Sequence, residues 1–238
     1  MLGWKKLSPW SKGLSFDGVA VIVFSTITLI LFHENGSSSV FRLHLAHLFD
    51  AGRFSALYPA FYWYGCSLVM LGVIPYIFGR LVLGLPAGAL GEGVGDWRTG
   101  IKAAALLYLA FLPLLVVVSY LPEFKNRYPL FYEARQSGWH LLLYELAYAV
   151  YFMGWEFIFR GFMLFGLFRD LGFWAVLVQT IPFAIMHFGK AQLETLAAVP
   201  AGIILGYLAL RTRSFWYGWL LHTAIAVSND LLALWHSR

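Results

Sequence analysis

Four residues in the C-terminal half carry acid–base or charge-stabilising side chains inside otherwise apolar sequence. They are Glu156 and Arg160 in GWEFIFRGF, His187 at the end of FAIMH, and His222 in LLHTAIAVSND. Glu156 and Arg160 are spaced i, i+4, so on a helix they share a face and can pair. Alone, that pair serves equally well to neutralise two buried charges, and a lone His in an apolar segment serves equally well as a hydrogen-bonded packing residue. Taken together, the four fall on three separate apolar segments without local partners. Convergence on one interior site is the economical arrangement. A carboxylate and two imidazoles in a dry pocket suit general acid–base chemistry, with the carboxylate as base and imidazole as donor or oxyanion stabiliser. They also suit a divalent metal such as zinc held by Glu156, His187 and His222, with one position open for water. The sequence leaves open whether a cofactor takes part. No HExxH pattern is present, so the zinc-protease arrangement with both His on one helix is unsupported.

Other polar residues lie within or at the edge of the same segments. Asn229 is seven residues after His222 on nearly the same face, and Glu194 follows His187 closely; both are expected in supporting roles, with Asp230 a weaker candidate. Glu145 lies eleven residues before Glu156, roughly 16 Å along a helix axis. It is therefore expected to make a separate polar contact nearer the outer surface. Gly154 and Gly161 flank the Glu–Arg pair and would admit a close helix neighbour.

The elements that must hold these residues are membrane helices. Of 238 residues, 60% are hydrophobic and 12% charged, with mean hydropathy +0.70. A soluble domain carries about a quarter charged residues. Seven stretches read as spans: about 17–33, 57–83, 101–121, 138–168, 172–188, 192–210 and 214–235. Pro75 with Gly79, and Pro113, are expected kinks, tolerable where neighbouring helices satisfy the freed carbonyls. The segment SSSVFRLHLAHLFDAGRF between the first two spans reads as an interfacial amphipathic helix. The glycine-rich stretch GLPAGALGEGVGDWRTG and the charged stretch PEFKNRYPLFYEARQSG read as loops. The fold class is thus all-α: a polytopic helix bundle of about seven transmembrane helices plus an interfacial helix. It divides into a cytoplasmic tail at 1–16, N-terminal helices and loops at 17–137, and a core at 138–235, within one membrane domain.

Several functions are excluded or made remote. The single cysteine, Cys66, allows neither an intramolecular disulfide nor a cysteine-based zinc site. The net charge of +5 reports topology rather than nucleic-acid binding. The expected partners are membrane lipids and a peptide or membrane-protein substrate, with no nucleic acid. With the N-terminus inside, nine Lys and Arg fall in inner loops against seven outside, a small positive-inside excess. The basic start MLGWKKLSPWSKG reads as a retained cytoplasmic tail without a cleavage site.

The order Glu-x-x-x-Arg-Gly, then Phe-x-x-x-His, then a His in the last span resembles the CPBP family. That family comprises type II CAAX prenyl proteases and bacteriocin-processing or immunity proteins, also called Abi. The pieces here are WEFIFRG (155–161), FAIMH (183–187) and LLHTAIAVSND, and the resemblance covers about 138–235. It implies a helix bundle in which a glutamate and histidines activate water to cut a peptide bond near the membrane surface. Glu156, Arg160, His187 and His222 match its motif positions. Two positions depart from the pattern. The family's first motif usually begins Glu-Glu, and Trp155 stands at the first. Asn or Asp usually follows the last His by four residues, and Ala226 stands there. Three functions are therefore carried forward: an intramembrane endopeptidase in a bacterial plasma membrane; a non-catalytic relative acting as scaffold or immunity factor, favoured if Trp155 fills the pocket; and a small proton-coupled transporter, which would want polar groups strung along a path and repeat symmetry between halves.

Overall fold

The computed structural model describes residues 14–236. The expected tail thus lies largely outside the described residues, with Trp10 and the lysines at 5, 6 and 12. All seven expected spans are helical. They are α1 (Phe16–Asn35), α2 (Ser55–Leu81), α3 (Trp97–Val118), α4 (Gly138–Leu171), α5 (Trp174–Ile185), α6 (Gln192–Thr212) and α7 (Trp216–His236). Among the described residues there is no strand. The chain is an all-α, polytopic bundle and an integral membrane protein.

Among the described residues five helices, α1 to α4 and α6, are long and apolar enough to cross a membrane. The other two differ for separate reasons. α5 has 12 residues, or about 18 Å at 1.5 Å per residue, short of a hydrocarbon core about 30 Å thick. α7 has 21 residues, but His222, Asn229 and Asp230 dilute its apolar character. These are the helices that carry, or lead into, the two histidines.

Local chemistry sets the helix starts. Ser15 accepts from the Gly18 amide at 3.1 Å and opens α1. Asp96 accepts from Thr99 at 3.2 Å and opens α3. Ser137 accepts from the His140 amide at 3.3 Å and opens α4. Each satisfies an amide that the first turn leaves without a partner. Between α1 and α2, the short helical pieces Ser38–Val40, Phe41–Leu45 and Ala46–Leu48 occupy the segment expected to be amphipathic. Phe41 is buried, while Leu43 and Leu48 are 76% and 65% exposed.

α4 is the central element. Of its 34 residues, the run Tyr151–Leu164 is largely buried. Two widened turns face each other here. Ser67–Val73 in α2 and Phe157–Met163 in α4 both have i→i+5 bonding, a local form common at functional sites. Gly154 makes the crossing possible. A β-carbon there would collide with the Ser67 carbonyl, and the Ser67 hydroxyl donates to the Tyr151 carbonyl at 2.8 Å. Gly161 plays a similar part against the Leu90 carbonyl, 3.1 Å from its β-carbon position. Gly154 admits the close helix neighbour that the flanking of the ion pair suggests, whereas the neighbour at Gly161 is a loop carbonyl.

Candidate active site

Glu156 and Arg160 are fully buried and form an ion pair, with Arg160 Nη1 3.0 Å from Glu156 Oε1. The same oxygen lies 2.7 Å from His222 Nδ1. The carboxylate accepts from both α4 and α7. A carboxylate only accepts, so Nδ1 of His222 carries the proton and Nε2 presents a lone pair. His222 is 16% exposed at its side chain, whereas Glu156 is at 0%. The imidazole is therefore the member of the pair nearer the exterior.

α5 contributes through Phe183. The Arg160 guanidinium carbon lies 3.9 Å from the centroid of the Phe183 ring, a cation–π stack in a desolvated setting. The Phe183 carbonyl lies 2.7 Å from His187 Nδ1. A carbonyl only accepts, so His187 donates from Nδ1 and presents Nε2 as an acceptor. The spacing Phe-x-x-x-His thereby joins two jobs in one residue: the ring supports Arg160 and the carbonyl orients His187. His187 is buried, at 5% exposure.

Two further residues complete the shell. The Phe152 ring lies 4.2 Å from that of His222, one turn before Glu156 on α4. Gly218 lies one turn before His222 on α7, and a β-carbon there would stand 2.8 Å from Glu156 Oε2. Neither was singled out from sequence. The signal for Gly218 was its i−4 position before His222, which puts both on one face.

Trp155 is buried, at 4% exposure. Its ring meets His187 edge-on at 5.8 Å and stacks on Tyr151 at 5.4 Å. The indole thus fills the space beside His187. Among the described residues, four buried atoms of this centre have no partner: Trp155 Nε1, Glu156 Oε2, and Arg160 Nε and Nη2. A buried polar atom without a partner is costly, so these donors and this acceptor are where water or a peptide group would bond.

Glu156, Arg160, His187 and His222 are therefore brought to one centre. Glu194 is not. Its carboxylate oxygens lie 3.1 Å from the Tyr128 hydroxyl, which donates to them, and 2.6 Å from Lys190 Nζ. Burial and then the Glu194 charge hold the Tyr128 phenol well above its ordinary value, so the phenol remains a donor. The expectation that Glu194 assists Glu156 is corrected: it lies at the first turn of α6 and is spent on the connection from α3. Among the described residues Asn229 Oδ1 has no partner, so it makes no bond to the centre. Asp230 lies near Glu145 across α7 and α4, away from the centre, and among the described residues none of their four buried carboxylate oxygens has a hydrogen-bond partner.

Oε1 of Glu156 is already shared by Arg160 and His222. Among the described residues no three of His, Cys, Asp or Glu converge as metal ligands.

The order of motif residues, now seen as one buried centre, agrees with comparison against known families. The type II CAAX prenyl endopeptidase Rce1-like family model matches residues 104–228. The chain belongs to this family. The match runs from within α3 to within α7 and contains every residue of the centre. No curated protein and no solved structure matches the chain.

Proposed function

We propose that this family member is an intramembrane endopeptidase that hydrolyses peptide bonds of membrane-associated proteins or peptides with a water activated by His222 and Glu156. The observation that carries the reading is the 2.7 Å contact between His222 Nδ1 and Glu156 Oε1. It fixes the tautomer, leaves Nε2 as a base, and stabilises the imidazolium formed on proton transfer. Water gives a proton to Nε2 as its oxygen attacks the scissile carbonyl carbon. The imidazolium then returns that proton to the leaving amine as the C–N bond breaks. His187 Nε2 can accept the second hydrogen of the same water. Arg160 orients Glu156, and its unpaired N–H groups, with Trp155 Nε1, are the donors available to a developing oxyanion. The bacterial plasma membrane with a cytoplasmic N-terminus is the setting we propose; the small excess of basic residues on that side supports the orientation.

One observation favours a second reading. Trp155 stands where the family usually has its first glutamate and packs on His187, which suits a non-catalytic scaffold or immunity protein that binds peptides without cutting them. One experiment separates the two. Peptide termini are compared in host membranes from wild type, a deletion strain, and the deletion complemented with Glu156→Gln, with expression of the variant confirmed. A set of termini lost on deletion and not restored by Glu156→Gln supports proteolysis through this carboxylate. Full restoration by Glu156→Gln supports the scaffold.

A further inference from the structure

A second feature lies outside the buried centre, at the end of the bundle where α6 begins. An open cleft of about 710 Å³ lies between the segment after α1, the helix Pro122–Arg127 and the connection from α5 to α6. Its volume is in the range of small-molecule sites, about 300–1,000 Å³. Arg42, Arg127 and Lys190 line it, against one carboxylate, Glu123, and an apolar floor that includes Trp63 and Phe131.

The cations are held, and two are not neutralised. Lys190 pairs with Glu194 at 2.6 Å. Arg42 lies 5.7 Å from the Phe131 ring centroid. Arg127 Nη1 donates to the Gly189 carbonyl at 3.0 Å, and its Nε is buried without a partner. Among the described residues neither arginine has a carboxylate within salt-bridge distance. Two guanidinium groups thus face one cleft with donors to spare, a geometry that fits phosphate oxygens.

The surroundings say which phosphate. Arg42 belongs to the helical segment whose neighbours Leu43 and Leu48 are 76% and 65% exposed. These leucines are open to the surroundings, beside exposed His44 and His47, while Arg42 lines the cleft. Such a segment lies at the boundary between headgroups and acyl chains, which puts the cleft at headgroup depth. We infer that this cleft is a binding site for the phosphodiester headgroup of an anionic phospholipid, held between Arg42 and Arg127, with its acyl chains over the exposed leucines. Gly189 is two residues from His187, so a headgroup on Arg127 bears on the connection that follows the catalytic centre. This inference does not depend on whether the centre cuts peptides.

The test uses the full chain purified in a zwitterionic detergent and titrated with phosphatidylglycerol or phosphatidylcholine, with retained lipid counted by native mass spectrometry. Phosphatidylglycerol is expected to be retained in preference. Arg42→Gln and Arg127→Gln are each expected to weaken that retention about fivefold, from about 1 kcal/mol per basic residue near an anionic surface. Lys102→Gln, on α3 near the opposite end of the bundle, is expected to leave retention unchanged. Among the described residues Arg42 makes no hydrogen bond, so Arg42→Gln gives up only its contact with the Phe131 ring, and thermal unfolding of each variant identifies any that misfolds. Equal retention of the two lipids, or wild-type retention by a folded Arg42→Gln, Arg127→Gln double variant, overturns the inference. So does displacement of phosphatidylglycerol by a short peptide with a free C-terminal carboxylate but not by its amide, which would assign the cleft to peptide.

Discussion

The α-carbon of Gly218 lies so close to Glu156 that a β-carbon there would stand 2.8 Å from Oε2. The absence of a side chain at this position lets α7 approach α4 closely enough for His222, one turn on, to reach Oε1. Gly218→Ala must push the carboxylate aside, and that carboxylate is already fixed by two bonds. The expected cost is about 1–3 kcal/mol of over-packing, read as a lower unfolding midpoint in detergent, with at least a tenfold loss of hydrolysis. Gly65→Ala is the control: nothing lies within 4 Å of its β-carbon position, and stability is expected to hold or rise.

Arg160 and Glu156 are both at 0% exposure. Arg160→Met leaves a buried carboxylate facing only an imidazole, and the expected loss is about 3–5 kcal/mol. Arg160→Lys keeps the charge but not the flat stack on Phe183, so it falls between. Adding Glu156→Gln to Arg160→Met removes the orphaned charge and is expected to recover much of the loss. Strict additivity of the two single changes in a double-mutant cycle would contradict the pairing.

Glu194 tests the boundary of the site. It pairs with Lys190 at a partly exposed position, 29% at its own side chain. Glu194→Gln is expected to cost no more than about 1 kcal/mol and to leave the rate of hydrolysis within about threefold. A loss comparable to that expected of His222→Gln, about 10²–10⁴-fold for removal of the proposed general base, would return Glu194 to the centre.

Trp155 separates shape from hydrogen bonding. Trp155→Ala opens a cavity beside His187 and is expected to cost about 3–5 kcal/mol. Trp155→Phe keeps an aromatic ring against Tyr151 and removes an unpaired buried N–H, so stability is expected to stay within about 1 kcal/mol of wild type. A loss near that of the alanine variant would show that the indole N–H bonds within the protein.

Much of this centre was legible in the sequence because charged and imidazole side chains inside apolar runs need an interior partner. That argument singled out Glu156, Arg160, His187 and His222, and the structure puts them together. The i, i+4 spacing was enough for the ion pair. Spacing alone could not resolve Glu194, which follows His187 closely but begins a new helix and points to Tyr128 and Lys190. Gly218 was passed over because its role is the absence of atoms, and only its place one turn before His222 marks it. The widened turns at Ser67–Val73 and Phe157–Met163 leave no mark in hydrophobic periodicity. The dual use of Phe183 depends on its carbonyl as much as its ring, and main-chain groups are the same at every position. The spans were legible from length and apolarity, except that α5 is shorter than its apolar run.

The central claim is that water, activated by His222 and Glu156, breaks a peptide bond. Its most direct test is incubation of the purified full chain in liposomes with a membrane-protein fraction in H₂¹⁸O, followed by mass spectrometry of newly formed C-termini. Hydrolysis places one ¹⁸O in each new carboxylate. The account predicts labelled C-termini with wild type and none with Glu156→Gln or His222→Gln of equal stability. Labelled termini in equal yield from those variants, or no new termini from the wild-type chain, would contradict it.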